Sequence, residues 1–165
     1  MADRPGDQPV PPLGAIYMYW LLSITILIAA LATAEDLWRR QISNKTTAGA
    51  LALGLVAQTA LYGLQGLGSA VGGTVAGFLV FLVFFLLGGM GGGDIKLMAG
   101  FGAVIGLSRI LQAALLTAIV GALFALLYLL VRKIRGHHQQ QAAEPEAIPY
   151  APAISLGVLL SFAAG

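Results

Sequence analysis

A chain of 165 residues that is 58% hydrophobic and only 10% charged, with a mean hydropathy of +0.87, lacks the composition of a soluble domain, in which about a quarter of residues carry charge. With no cysteine, disulfides, thiol catalysis and cysteine metal sites are excluded. A net charge of +2 is too small to suggest a nucleic-acid partner, so Lys and Arg are read for membrane orientation instead.

Residues 1–15 are polar and proline-rich, with Pro5, Pro9, Pro11 and Pro12, and read as a disordered tail. Residues 16–165 read as a single all-α membrane domain. Its first apolar segment is Ile16 to Ala34, with Tyr17, Tyr19 and Trp20 as interfacial anchors at its start. Ala32-Thr33-Ala34 resembles a signal-peptidase site, but the start is not basic and the positive charges follow the segment. Retention as a membrane helix is the better reading. Glu35 to Lys45 is a polar loop. Thr46 to Leu64 is a second span, Gln65 to Ala70 a short turn and Val71 to Leu87 a third span.

Gly88-Gly89-Met90-Gly91-Gly92-Gly93 then leads to Asp94, and Leu97 to Val131 follows, interrupted by Gly106-Leu107-Ser108-Arg109. This gives a short fourth span and a fifth from Ile110 to Val131. The fourth covers only about 17 Å unless it begins before Asp94. Residues 132–147 form a polar loop, and Ile148 to Gly165 is the sixth span.

With the N-terminus outside, Arg39, Arg40, Lys45, Lys96, Arg132, Lys133 and Arg135 fall on the cytoplasmic side, and only Arg4 and Arg109 fall outside. That bias supports about six transmembrane helices. Asp36 and Asp94, remote in sequence, then lie on the same cytoplasmic side.

Two carboxyls in contact share a proton, one activating water while the other polarises a carbonyl. The opposing reading is two unrelated interfacial aspartates, Asp94 capping a helix. Glycines before Asp94 leave room for a substrate backbone to approach. Lys96 and Arg40 either tune such a pair, bind an acidic substrate group, or serve as ordinary positive-inside flanks. His137-His138 lacks the spacing of a metal pair and reads as solvated loop. Gly73-Thr74-Val75-Ala76-Gly77 and Gly102-Ala103-Val104-Ile105-Gly106 are G-x-x-x-G patterns. They suit close packing inside the bundle, with a homodimer face as the alternative.

Gly91-Gly92-Gly93-Asp94-Ile95-Lys96-Leu97 resembles the G-x-G-D-x-K-[LM] signature of the type IV prepilin peptidase family of membrane aspartic endopeptidases. Asp36-Leu37-Trp38-Arg39-Arg40-Gln41-Ile42-Ser43-Asn44 resembles its D-x-x-x-R-x-I-P-N, with Ser43 in place of proline. Ile148-Pro149-Tyr150-Ala151-Pro152 resembles its P-[FY]-[GA]-P. The resemblance implies Asp36 and Asp94 as the catalytic pair, with Gly91, Gly93, Lys96, Arg40 and Asn44 supporting them or contacting substrate. The chemistry of such a pair needs no metal or other cofactor. It implies a multi-pass protein of the bacterial inner membrane. The substrate would be a prepilin, cut after a glycine at the end of its leader, at the cytoplasmic membrane face. Without cysteines or length for a methyltransferase domain, the chain looks like the short form associated with Flp (tad-type) pili. A small proton- or cation-coupled transporter and a non-catalytic pilus-assembly scaffold are the competing functions.

Overall fold

The computed structural model describes residues 13–88, 90–134 and 150–164. Among these residues five helices follow one another: α1 (Leu13–Arg39), α2 (Asn44–Leu86), α3 (Gly92–Ile105), α4 (Leu107–Ile134) and α5 (Ala151–Ala163). No strand occurs among the described residues. α1, α2 and α4 are long and apolar enough to cross a membrane. α3 and α5 have 14 and 13 residues. Each is about 20 Å long, less than a hydrocarbon core of about 30 Å. Residues 13–15 of the predicted tail 1–15 begin α1, and residues 132–134 of the predicted loop 132–147 end α4; residues 1–12 and 135–149, with Arg135, His137, His138 and Pro149, lie outside the described residues.

α2 is two arms rather than one rod. Gly63 breaks it with φ 62 and ψ −143, a conformation open to glycine and little else. Beyond the break, Gly66 packs onto the Gln58 carbonyl so closely that a Cβ would collide with it. In a straight helix those residues would be roughly 12 Å apart along the axis, so the chain reverses here. Along the first arm Ala50 meets Gly100 and Gly54 meets Ala103 and Val104, so it runs parallel to α3. Along the second, Gly73 meets Gly102, Gly77 meets Met98 and Phe85 lies beside Gly92, so it runs antiparallel. The second and third predicted spans are therefore the two arms of a hairpin. The reversal occurs at Gly63, and the predicted turn 65–70 is helical.

Other predicted boundaries also move. Glu35–Arg39 was expected in the loop but continues α1, since nothing before Arg40 interrupts a run of helix-compatible residues. α3 starts at Gly92, ahead of Asp94. Gly106, with φ 76, is the whole interruption, and Leu107–Arg109 already belong to α4. The break leaves carbonyls at the end of α3 and amides at the start of α4 without helical partners. Gln58 Nε2 donates to the Val104 carbonyl at 2.8 Å, and Ser69 Oγ accepts the Leu107 N–H at 3.1 Å.

α3 is the core. Every residue from Asp94 to Ile105 is buried except Lys96, as expected of a helix apolar on all sides and wrapped by others. The two G-x-x-x-G patterns face each other: a Cβ on Gly73 would strike the Gly102 carbonyl, and one on Gly102 would strike that of Gly73. Their close approach is spent within the bundle. α5 packs between α4 and α1, with Gly157 against Thr117 and Ser155 donating to the Ala29 carbonyl at 3.4 Å. Leucines such as Leu115, Leu123 and Leu127 remain exposed on α4. In water they would form a large apolar patch; in a bilayer they face lipid. The chain is a helical membrane protein.

Candidate active site

α1 and α3 carry the two predicted carboxylates to the same end of the bundle. Asp36, in the last turns of α1, is 6% exposed, and Asp94, in the first turn of α3, is 7% exposed. They are close enough for the charge of Asp36 to act on Asp94. Asp94 is not the helix cap; Gly91 is, with its backbone extended at φ −83 and ψ 156. Asp94 Oδ2 reaches back to accept the Gly91 N–H at 3.1 Å, satisfying one of the amides that a helix start leaves open. Asp94 lies outside the three spanning helices. Burial pushes its carboxyl up to about 6; the Gly91 hydrogen bond opposes this and the Asp36 charge adds to it.

Asp36 is anchored from a third direction. Its Oδ2 accepts the Ala151 N–H at 2.9 Å. Ala151 opens α5, with Pro152 just behind it. A proline in the first turn sacrifices no helical hydrogen bond, and the amide left open at that terminus points at the carboxylate. The tail motif thus meets the first-loop motif, although its Pro149 lies outside the described residues.

The loop between α1 and α2 is short and tied down. Arg40 takes a left-handed conformation, φ 51, and turns the chain out of α1. Ile42 lies against Gly93, where an added Cβ would sit 3.4 Å from the Ile42 Cβ. That is ordinary contact for alanine, whereas a larger side chain would displace the loop. Ser43 caps α2, its Oγ accepting the Thr46 N–H at 3.1 Å. Lys96 Nζ donates to Asn44 Oδ1 at 2.9 Å, bridging α3 and the start of α2. Asp36, Asp94, Gly91, Gly93, Lys96, Arg40 and Asn44 therefore gather at one end of the molecule.

Sequence reasoning missed Glu35. Its Oε2 accepts the Ser43 N–H at 2.9 Å, and its Oε1 accepts the hydroxyls of Thr46 at 2.8 Å and Ser43 at 3.1 Å. The signal was available in part: an acid beside Asp36, and a Ser in a loop position where the resemblance leads one to expect proline. Gln58, a polar group within a span that a transporter reading would need, is occupied by the Val104 carbonyl.

An all-helical membrane bundle with two buried aspartates converging at the end of a core helix, beside a glycine-rich turn, defines the class of protein. The model of the Type IV leader peptidase family matches residues 16–126, and the chain belongs to that family. It is similar to proteins named prepilin leader peptidase/N-methyltransferase. That of Bacillus subtilis (strain 168) is 35% identical over 95 residues, 56% of this chain and 35% of the relative. That of Aeromonas salmonicida (strain A449) is 33% identical over 151 residues, 87% of this chain and 46% of the relative. That of Legionella pneumophila is 31% identical over 150 residues, 87% of this chain and 49% of the relative. The chain thus spans half or less of the length of these curated relatives. No solved structure matches it.

Proposed function

We propose that this chain is a membrane aspartic endopeptidase that removes the leader peptide of prepilins. The observation that carries the proposal is the convergence of Asp36 and Asp94, both buried, from separate helices onto one end of the bundle. In this reading Asp94 holds the shared proton and polarises the scissile carbonyl. Asp36 is the charged partner and draws a proton from the attacking water. The water oxygen adds to the carbonyl carbon, and collapse of the tetrahedral adduct returns a proton to the leaving amine.

Helical substrate backbone keeps its amides and carbonyls paired, so the scissile segment must be extended to reach the pair. The exposed glycines Gly91 and Gly92 leave room for it beside Asp94. Lys96 and Arg40 stand at the same end, where they can meet an acidic group of the substrate, and Asn44 fixes the Lys96 ammonium.

We assign the pair to the cytoplasmic face of a multi-pass inner-membrane protein. Arg39, Arg40, Lys45 and Lys96 cluster at the end that holds the aspartates, as the positive-inside rule requires of a cytoplasmic face. Cleavage after a leader-terminal glycine, and a substrate of the Flp-pilus type, rest on the motif resemblance.

The test is co-expression of a candidate prepilin with wild type, Asp36→Asn and Asp94→Asn, read as leader loss on a gel. Cleavage by wild type alone supports the proposal. Cleavage by either variant removes that aspartate from the mechanism.

A further inference from the structure

A cavity of about 420 Å³ opens at the end of the bundle away from the aspartates, lined by Leu21, Tyr62, Gln65, Ser108, Arg109 and Phe162 among others. Leu21 and Asp36 lie on the same helix, on the order of 20 Å apart along its axis. This cavity is therefore separate from the proposed cleavage site and shares no residue with it.

Arg109 is the cation that lines it. Its Nη1 is wholly buried and has no hydrogen-bond partner among the described residues. The guanidinium carbon lies 5.2 Å from the centre of the Phe162 ring, which holds the group in place by a cation–π contact. No carboxylate is among the described residues lining the cavity. The rest of the half-buried group lines the cavity, and a guanidinium is best met by an oxyanion, whose oxygens accept its N–H donors in charge-assisted hydrogen bonds. Tyr62, Ser108 and Gln65 line the same space, and each has a side-chain group able to donate. α4 begins here as well, so the positive end of its dipole adds to the field.

Depth narrows the ligand. Tyr19 and Trp20, 58% and 62% exposed, lie on the turns of α1 that border the cavity between Met18 and Leu21. Exposed aromatics of this kind settle at headgroup level. We propose that the cavity binds a phosphate-bearing anionic group, presented by a membrane lipid headgroup or as free phosphate.

The experiment uses purified full-length chain in a neutral detergent. Native mass spectrometry then counts adducts of short-chain phosphatidylglycerol, short-chain phosphatidylcholine and inorganic phosphate. Wild type retains phosphatidylglycerol in preference to phosphatidylcholine. Arg109→Gln weakens that binding by about tenfold or more, the loss expected for one charge-assisted contact. Arg109→Lys, which keeps the charge, retains part of it. Gln65→Glu places a carboxylate in the cavity to compete for Arg109 and weakens binding comparably. Gln65 is exposed, so this variant carries the test if Arg109→Gln fails to fold. Phosphate adducts with the same dependence on Arg109 assign the site to the free anion; their absence beside phosphatidylglycerol adducts assigns it to the headgroup. Equal retention of both lipids with no phosphate adduct, or binding by Arg109→Gln and Gln65→Glu at wild-type strength, overturns the proposal.

Discussion

Asp36 accepts a 2.9 Å hydrogen bond from the Ala151 backbone N–H, so one carboxylate ties α1 to α5 while its charge acts on Asp94. Its structural and chemical roles separate by substitution. Asp36→Asn keeps an oxygen that can accept from Ala151 and loses the charge. Asp36→Ala loses both and leaves a buried N–H unpaired, a cost of about 1–3 kcal/mol. Thermal unfolding in detergent should find the Asn variant near wild type and the Ala variant less stable, with neither able to cleave. Equal stability of the two would detach the Ala151 bond from the fold.

The pH dependence of cleavage follows from Asp94. Its carboxyl is raised to about 6, chiefly by burial. The proposed mechanism uses its protonated form, which is populated below that value and lost as pH rises through it. Initial cleavage rates should therefore fall on the alkaline side of about 6. A rate that climbs steadily through this range would mean that the ionised form of Asp94 is the active one.

Much of the helix order was legible in the sequence because membrane helices announce themselves by apolar length. Among the described residues, six helical stretches occur in the predicted order once α2 is resolved into its arms. The position of the reversal was not legible: Gly63 is one glycine among 22, and its role depends on Gly66 fitting against Gln58. The extension of α1 through Glu35 and Asp36 was masked because polar residues ending a span resemble a loop. The juxtaposition of Asp36 and Asp94 could be inferred from topology, but the Ala151 contact could not. It needs α5 to dock against α1, which no local pattern specifies.

The glycine pair in the core gives a stability prediction independent of chemistry. Gly73 and Gly102 bring two backbones into contact, and a Cβ on either meets a main-chain atom that cannot swing away. Gly102→Ala should cost about 1–3 kcal/mol, as overpacking does, and lower the unfolding temperature in detergent. Gly49→Ala, with open space around its Cβ position, serves as the control and should leave stability unchanged or slightly raised. If the two substitutions act alike, the second arm of α2 does not seat on α3 as described.

Glu35 gives the sharpest test of how the loop beside the site is held. Ser43 has φ −70, an angle proline would also take. It fixes the loop instead through its N–H and hydroxyl, both held by the Glu35 carboxylate. Glu35→Ala should slow cleavage by about tenfold, the effect of losing hydrogen bonds to a charged group. Ser43→Pro removes the N–H and the hydroxyl but stiffens the same position by its ring. In that background Glu35→Ala should cost far less, because the loop no longer depends on the carboxylate. Cleavage rates for the two single variants and the double variant form a double-mutant cycle. A large coupling between positions 35 and 43 is the expected result. Additive losses would mean that Glu35 acts on the neighbouring Asp36 or on substrate, rather than by positioning the loop.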